Sequence, residues 1–275
     1  MSKKRAVYTA LIGDYEKPVP QRRMGNVDFL LLTDNPHLTV EGWDCIPITA
    51  PVPGDPIRSA RMLKIKATEL IRGYSETLWI DNRVVLTENP ETILDELLRK
   101  DDIAIPHHSF RATLAEEFKA VLDNRYDDPI KVRELLALYG TEFKHALNEK
   151  PYWTAIIARR QTPTTNNLMD TWANLVLRYS RRDQLSLMAA CAHHEFWPKG
   201  YDLDNFESSY HHWMEESQIR SPQAGRWTRD EGNYRYSLRD RTDDQMKKCR
   251  LLARRLKTRL NTTPNSTHRR STGSD

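Results

Sequence analysis

The sequence predicts an α/β fold in which a mostly parallel β-sheet is flanked by helices. Over the first hundred residues, short β-rich runs alternate with helical segments, a pattern typical of parallel strands covered on both faces. The runs end at turn-forming Gly, Asp, Asn and Pro residues. Because ligands bind at the carboxyl ends of such strands, the turns after the first, second and fourth strands should form one site.

The predicted elements follow in chain order. Strands are expected at residues 6–12, 27–33, near 43–48, 77–80, 102–106 and, as a candidate, 152–158. Helices are expected over roughly 57–72, 90–99, 113–123, 129–138, 168–179 and 182–192. Gly73 is expected to end the first helix. Residues 193–240 are rich in aromatic residues and histidine, and their pattern places no element.

Charge divides the 275-residue chain into two parts. Residues 245–275 contain nine Lys/Arg and one acidic residue, whereas residues 1–244 contain 33 basic and 37 acidic side chains. We predict one α/β domain over residues 1–240 and a basic amphipathic helix with a polar, disordered tail over 241–275. The helix could lie on an anionic membrane or another acidic partner, nucleic acid included, or dock on the body with its charges solvated. The acidic body argues against a general nucleic-acid-binding domain.

Cysteine usage and hydropathy indicate the compartment. The three cysteines are far apart and form no CxxC pair, which fits a reducing environment and gives no zinc signal. The apolar run at residues 6–12 is too short for a signal peptide or a membrane span. We therefore expect a cytoplasmic protein, in which the tail is the candidate for peripheral membrane contact.

Asp81 is the central candidate residue because it directly follows the apolar fourth strand. A carboxylate held there would suit Mg²⁺ or Mn²⁺, and such a cation neutralises the charge of a leaving diphosphate. The alternative is that Asp81 caps the turn with Asn82 or the helix that follows. The spacing alone leaves both open.

A basic helix face is the second candidate. Arg58, Arg61 and Lys64 are spaced by three residues, so they lie on one side of the first helix. Guanidinium groups bind phosphate in a bidentate manner and lysine adds a point charge. The alternative is an ordinary solvated helix face.

The turns after the first two strands suit a nucleoside. An aromatic ring such as Tyr15 can stack on a base, and Asp14, Asp34 and Asn35 can accept or donate hydrogen bonds to ribose or base edges. Turn chemistry alone also explains Asp34 and Asn35, which precede a proline. Both readings stay open.

Several short motifs occur in the order seen in one family. They are residues 8–15 (YTALIGDY), 32–35 (LTDN), 58–65 (RSARMLKI), 78–82 (LWIDN), 108–111 (HSFR), 116–117 (EE), 169–172 (MDTW) and 180–186 (SRRDQLS). Over residues 6–212 the chain resembles the glycosyltransferase-like family once called domain of unknown function 616, with bacterial and plant wall-polysaccharide members. The resemblance implies a GT-A-like, Rossmann-like fold that binds a nucleotide sugar.

The resemblance also implies roles for individual residues. Tyr8 and Thr9 fall in the first donor-binding motif, and Asp183-Gln184 is similar to the Asp-Gln pair that retaining GT-A transferases place against the donor sugar. Asp183 would contact sugar hydroxyls or stabilise an oxocarbenium ion, although an Asp before a helix is also a common N-cap. The likeness implies three further roles: a sugar or acceptor wall at His108 and Arg111, a general base at Glu116 or Glu117, and a metal ligand at His211 or His212, although such a histidine pair is more often structural or exposed.

The chain departs from the family at two points. Where the family reads Asp-Gly-Asn, this chain has Asp81-Asn82-Arg83, so the second acid of a DxD motif is missing. Asp81 then binds metal with help from elsewhere, or Arg83 offsets phosphate charge without metal. After Arg111 the chain has Thr113 and Ala115 where the family commonly has Cys and Tyr.

These observations predict a glycosyltransferase that moves a sugar from a nucleotide donor, UDP-linked and assisted by Mn²⁺ or Mg²⁺, to a hydroxyl acceptor. The acceptor would be a glycan, a lipid-linked glycan, a protein or modified DNA, and the Asp-Gln likeness leans towards retention. One alternative is a non-catalytic nucleotide or sugar binder that kept the fold. Another is a nucleic-acid-associated protein that acts through its basic tail.

Overall fold

A computed structural model describes residues 4–67, 70–71 and 73–221. The predicted basic helix and tail, residues 241–275, lie outside the described residues, so that prediction stays untested. Among the described residues, no helix is long and apolar enough to cross a membrane.

The described elements begin with three strands in succession, without the predicted alternation, and helices interleave with strands only from the first helix onwards. The strands are β1 Arg5–Leu11, β2 Asp28–Thr33, β3 Asp44–Pro47, β4 Glu76–Ile80, β5 Val84–Leu86, β6 Ile103–Pro106, β7 Ile156–Arg160, β8 Lys199–Tyr201 and β9 His211–Trp213. The helices are α1 Pro56–Lys66, α2 Pro90–Leu97, α3 Leu114–Asp123, α4 Pro129–Glu142, α5 Pro163–Arg178, α6 Asp183–His194 and α7 Glu216–Ile219. A 3-10 helix spans Lys144–Asn148.

The described strands form a seven-stranded sheet with the order β3-β2-β1-β4-β7-β6-β8. β1 pairs in parallel with β2 and β4, and β2 pairs in parallel with β3. β7 runs antiparallel between β4 and β6, while β8 is parallel to β6. The α/β fold with a mostly parallel sheet is confirmed, and its mixed character comes from β7.

The helix starts follow from local capping chemistry. α1, α2, α4 and α5 each begin with a proline, whose fixed φ suits the first helical position. The residue before each proline accepts a backbone N–H bond through its side chain, and these caps are Asp55, Asn89, Asp128 and Thr162. The last helical residue of α1 is Lys66, so Gly73 does not end it.

Alternating residues of the central strands build two cores on opposite faces of the sheet. Tyr8 of β1 and Trp79 of β4 pack with the α1, α5 and α6 side. Val7 and Leu78, one position away in each strand, pack on the other side, against α2. Because both faces are covered, the edge at the carboxyl ends of β1 and β4 remains for polar side chains.

Candidate functional site

Lys64 forms the centre of a buried ionic cluster behind this edge. Its side chain is 1 % exposed, and its Nζ lies 2.8 Å from Asp183 Oδ2 and 3.2 Å from Asp81 Oδ1. Nζ also donates to Thr154 Oγ1 at 3.1 Å. A buried ammonium group needs such compensation because desolvation otherwise makes its charge costly. Lys64 is therefore no part of a solvated helix face.

A second buried cation, Arg159, holds the backbone around Lys64 in place. Arg159 on β7 donates to the carbonyl oxygen of Ile65 at 2.7 Å and to that of Lys64 at 3.2 Å. Arg159 also donates to the Tyr8 hydroxyl, which donates in turn to the Lys64 carbonyl oxygen at 2.7 Å. These bonds satisfy carbonyl oxygens in the last turn of α1, and they hold in place the backbone from which the Lys64 side chain extends.

Asp183 is the first residue of α6, yet it does not cap the helix. Arg182 occupies the N-cap position and makes no side-chain capping bond. The Asp183 carboxylate instead accepts from Thr154 Oγ1 at 2.9 Å and meets Lys64. Burial alone would raise the pKa of Asp183, but Lys64 and Arg61 outweigh it and hold that pKa well below the ordinary value. Asp183 is therefore an anion throughout the physiological pH range.

Arg61 connects this cluster to a cavity. Its Nε lies 3.1 Å from Asp183 Oδ1, although the pair falls outside hydrogen-bond geometry. Burial alone would lower the pKa of Arg61, and the nearby carboxylates of Asp183 and Asp81 raise it above the ordinary value. The guanidinium thus stays charged at the cavity wall, and its Nε–H still needs a well-placed acceptor.

The cavity has a volume of about 310 Å³ and opens at the carboxyl ends of β1 and β4. Two carboxylates, Glu16 and Asp81, and three aromatic residues, Tyr15, Trp79 and Tyr126, belong to its described lining. The described lining also contains six arginines, namely Arg61, Arg83, Arg125, Arg181, Arg182 and Arg220. This surplus of guanidinium groups over carboxylates suits an anionic ligand with several oxygen atoms.

The arginines of the wall differ in how they are held. Arg83 donates from Nε to the Met214 carbonyl oxygen at 2.9 Å, and Arg181 pairs with Asp127 at 3.1 Å. Arg182 donates to Gln184 Oε1 at 3.3 Å, and its buried Nε has no hydrogen-bond partner among the described residues. A buried donor of this kind is satisfied by a bound acceptor or by water.

One wall of the cavity is tethered by Asn82. Its Oδ1 accepts from the backbone N–H of Val19 at 3.1 Å, and its Nδ2 donates to Glu16 Oε2 at 3.0 Å and to the Lys17 carbonyl oxygen at 2.9 Å. Burial raises the pKa of Glu16. An isolated antiparallel β-bridge between Glu16 and Arg220 also joins this segment to the residue that follows α7.

A second polar cluster adjoins the cavity through Arg182. Glu117 on α3 accepts from Arg111 Nε at 3.0 Å, and its Oε2 lies 3.9 Å from His108 Nε2. Burial, together with Arg111 and Arg182, lowers the pKa of His108 to about 4. Burial raises the pKa of Glu117, against the opposing effect of the two arginines. At neutral pH, His108 is therefore an uncharged imidazole, and its Nδ1 accepts the Phe110 N–H at 3.1 Å.

The structure brings together part of the predicted site. Five predicted residues line the cavity, namely Tyr15, Arg61, Asp81, Asn82 and Arg83. Lys64 and Asp183 lie directly behind Arg61 and Asp81. Gln184 follows Asp183 on α6 and its Nε2 is 3.5 Å from the Tyr152 carbonyl oxygen.

Other predicted residues make local contacts. Both oxygens of Asp34 accept from the Gly13 N–H, at 3.1 and 3.2 Å, and Asn35 Oδ1 accepts from the His37 N–H at 3.1 Å. These are turn contacts, in keeping with the alternative to nucleoside binding. Asp14 is exposed with φ 52°, and Thr9 is buried within β1.

Arg58, from the basic face of α1, is bound to protein groups. Its guanidinium donates to Asp55 Oδ2 at 2.7 Å and to the carbonyl oxygens of Val176 and Tyr179 at 3.2 and 2.8 Å. It therefore satisfies the end of α5, a common role for arginine near a helix carboxyl terminus. Glu116 Oε2 accepts from the Ala112 N–H at 2.8 Å, which places Glu116 in a capping arrangement at the start of α3.

The predicted metal ligands are arranged differently from a metal centre. Asp81 Oδ1 accepts from Trp79 Nε1 at 2.8 Å as well as pairing with Lys64. His211 is fully buried and both its ring nitrogens are bonded, to Ser208 Oγ at 2.8 Å and the Asn205 carbonyl oxygen at 3.1 Å, while His212 is exposed. Within residues 4–67, 70–71 and 73–221, no three His, Cys, Asp or Glu residues could jointly hold a metal ion. The described side chains thus do not fit a protein-built metal site, and the metal stays a prediction.

Several residues of the site were missed by sequence reasoning. Thr154 bridges Lys64 and Asp183, and Trp79 donates to Asp81. Arg181 and Arg182 directly precede Asp183, so their position beside a candidate residue was an available signal. Arg125 and Arg220 carry no such signal because they reach the cavity only through the tertiary fold.

Comparison with known proteins identifies a family. Residues 31–209, about two thirds of the chain, match the family model described as "TOD1/MUCI70, glycosyltransferase-like domain". The matched span contains α1, β4 and the start of α6, which carry Lys64, Asp81 and Asp183. A search of curated proteins found no match to the chain.

Proposed function

The chain belongs to the TOD1/MUCI70 glycosyltransferase-like family, as its motifs predicted, and on this premise we propose that it transfers a sugar from a nucleoside diphosphate donor to a hydroxyl acceptor. A UDP-linked donor is the candidate with which to begin. In the reaction, the bond between the anomeric carbon and the diphosphate oxygen breaks. The acceptor oxygen bonds to that carbon, and its proton passes to a base.

The observation that carries the proposal is the arginine-lined cavity at the carboxyl ends of β1 and β4. This edge is where open α/β sheets bind ligands. A diphosphate presents several anionic oxygens, and guanidinium groups match them with paired, charge-assisted hydrogen bonds. Arg61 and Arg182 both belong to the described cavity wall, so their guanidinium groups can donate to a bound diphosphate.

The proposal gives the neighbouring groups distinct roles. Arg61, Arg83 and Arg182 stabilise the charge that develops on the leaving diphosphate. Tyr15 offers an aromatic face to the nucleoside. Asp183 and Lys64 hold Arg61 and Asp81 in place before the donor arrives, which lowers the cost of reorganisation during the reaction.

The acceptor side of the proposal uses the cluster next to Arg182. The carboxylate of Glu117, which is paired with Arg111 and lies beside His108, takes the proton of the attacking hydroxyl. Retention at the anomeric carbon and a contact of Asp183 or Gln184 with the sugar stay predictions. Analysis of the anomeric configuration of the product by NMR would decide whether that configuration is retained.

Calorimetric titration of the full chain with UDP tests the proposal. We expect UDP to bind and uridine, which lacks phosphate, to bind far more weakly, with an affinity for UDP that falls as salt rises. Arg182→Ala should weaken UDP binding by about 1.5–3 kcal/mol, the range for hydrogen bonds to charged groups. Titrations with Mn²⁺ and with EDTA measure whether a metal contributes.

The matched control is Arg178→Ala. Arg178 is an exposed arginine on α5 that pairs with Glu134 at 2.9 Å and does not line the cavity. Its loss should leave UDP affinity unchanged within a factor of two. If the wild type binds neither UDP nor another nucleoside diphosphate or nucleotide sugar, the proposal is wrong.

A non-catalytic nucleotide binder is the second candidate. It is favoured by one observation, that Asp183 and Gln184 are absent from the described cavity wall. It predicts UDP-sugar binding without release of UDP, either with or without acceptors. Slow hydrolysis of the UDP-sugar by wild type, lost in Arg61→Ala but kept in Arg178→Ala, would instead support transfer.

A further inference from the structure

Two phenylalanine rings form an exposed pair beside the His108 cluster. Phe110 is 53 % exposed and Phe206 is 56 % exposed. Their ring centroids are 5.2 Å apart with planes inclined at 42°. Single exposed apolar residues are ordinary. Two large rings that pack on each other and remain open to solvent are a surface with a defined shape.

The backbone of this phenyl pair is fixed by hydrogen bonds between the two loops that carry it. Asn205 Oδ1 accepts from the Ser109 N–H at 2.8 Å, and Asn205 Nδ2 donates to the His107 carbonyl oxygen at 3.1 Å. Ser109 Oγ donates to the Leu203 carbonyl oxygen at 2.9 Å. A rigid aromatic surface loses little conformational entropy when a ligand binds.

Buried His211 supports the same surface from beneath. Its Nε2 lies 3.1 Å from the Asn205 carbonyl oxygen, which can only accept, so Nε2 carries the proton. Its Nδ1 therefore accepts from the Ser208 hydroxyl. The ring packs on Trp153, and Trp213 donates its backbone N–H to the Phe206 carbonyl oxygen at 2.8 Å. This gives the late histidine a structural role in holding Phe206.

The phenyl pair is continuous with the candidate site. The Phe110 ring lies 6.0 Å from the His108 ring, centroid to centroid. His108 approaches Glu117, and the charge of Arg182 on the cavity wall acts on both His108 and Glu117. A ligand that covers the phenyl pair would therefore extend towards the groups that we assign to the acceptor side.

We propose that Phe110 and Phe206 form an acceptor subsite that binds one sugar ring of a saccharide. The inference rests on the proposed function, because it concerns the acceptor of the same reaction. One face of a pyranose ring presents C–H groups of slight positive charge, and these pack on the electron-rich face of an aromatic ring. The sugar hydroxyls around that face stay in water, which suits an exposed site better than a buried one.

The test measures saccharide binding and UDP binding on the same full-length proteins. The probes are immobilised pentasaccharides of β-1,4-glucose, α-1,4-glucose, β-1,4-xylose, β-1,4-mannose and α-1,4-galacturonic acid, and UDP is titrated by calorimetry. Phe110→Leu and Phe206→Leu keep apolar bulk but remove the aromatic face, whereas Phe110→Trp keeps an aromatic face. Ile130→Ala and Leu177→Ala, at exposed apolar positions on α4 and α5, are the matched controls.

We expect wild type to bind at least one of the five saccharides and each leucine variant to lose about tenfold in affinity. Phe110→Trp and both controls should bind as wild type does, and UDP affinity should be the same throughout. Leucine variants that bind saccharide within twofold of wild type would overturn the subsite. So would a wild type that binds UDP but none of the five saccharides.

Two further outcomes distinguish saccharide binding at the phenyl pair from the proposed transferase activity and from a membrane contact. Saccharide binding that is lost in the leucine variants of a protein that binds no nucleotide would uphold the phenyl pair as a saccharide-binding surface and refute both the proposed transferase and the acceptor role. If the leucine variants lose affinity only for vesicles of phosphatidylcholine and phosphatidylserine, the phenyl pair is a membrane contact and the proposal is wrong.

Discussion

Asp183→Asn is the sharpest perturbation of the buried ionic cluster. The change keeps the size of the side chain and removes its charge. In the wild type, the Asp183 carboxylate meets Lys64 Nζ at 2.8 Å, Thr154 Oγ1 at 2.9 Å and Arg61 Nε at 3.1 Å. The amide leaves one accepting oxygen and turns an NH₂ group towards groups that are donors themselves.

The expected cost follows from burial. Breaking a buried ion pair by removing one partner costs about 3–5 kcal/mol, because the remaining charge stays desolvated. Lys64 keeps Asp81 at 3.2 Å, so part of its compensation survives. We therefore expect the free energy of unfolding to fall by about 3 kcal/mol at pH 7, the lower end of that range.

The pH dependence of the free energy of unfolding provides an independent test. The pKa of Asp183 in the folded state lies below its ordinary value of 3.8, so its contribution is complete above that pH and is lost as pH falls towards the folded-state pKa. The difference in the free energy of unfolding between wild type and Asp183→Asn should hence be constant above about pH 5 and narrow by about 1.4 kcal/mol per pH unit below 3.8.

Urea unfolding followed by tryptophan fluorescence, from pH 7 to pH 3, measures both effects. The control is Asp170→Asn, which breaks the ion pair with Lys66 on the outside of α5, where Asp170 is 51 % exposed. That change should cost at most about 1 kcal/mol. Equal losses for the two variants at pH 7, or a gap that does not narrow in acid, would refute the reasoning.

Three further predictions concern the support of the site. Asn82→Ala should lower the free energy of unfolding by about 2–3 kcal/mol, since it removes a buried acceptor and a buried donor that tether the cavity wall. His211→Ala should cost about 2–3 kcal/mol and leave Mn²⁺-dependent UDP affinity unchanged, whereas lost Mn²⁺ dependence at unchanged stability would assign it to a metal. Gly42→Ala should cost about 3 kcal/mol or more, because Gly42 has φ +82° and a Cβ would lie 1.7 Å from the Gln21 carbonyl oxygen. Urea unfolding checks all three, and calorimetry checks His211→Ala further.

The main strands were predictable because their signal is local. β1, β2 and β4 are runs of apolar residues long enough to be buried on both faces, and Gly, Asp or Asn closes each. The start of α5 was placed five residues late, since its first turn, residues 163–167, is polar and only the Thr162 cap and Pro163 mark it. The three-residue strands β5, β8 and β9 carry too little pattern and exist through pairing with distant partners.

The candidate site, like the fold, could be predicted only in part. Arg61, Lys64, Asp81 and Asp183 could each be named from local features or from family motifs. Their meeting could not be predicted, because Asp183 is more than a hundred residues from Lys64 and a one-dimensional pattern holds no distance between them. The burial of Lys64 likewise depends on Thr154, which follows no motif.

The sequence by itself therefore determined the fold class, the family and the position of Asp81 at the end of a buried strand. Hydrophobic runs and turn residues act over a few neighbours, so they can be read without coordinates. Only the tertiary structure decided which charges neutralise one another, which arginines face the cavity, and that β7 runs antiparallel between β4 and β6. Electrostatic pairing and strand direction depend on the three-dimensional approach of distant segments, and that approach is set by the packed core as a whole.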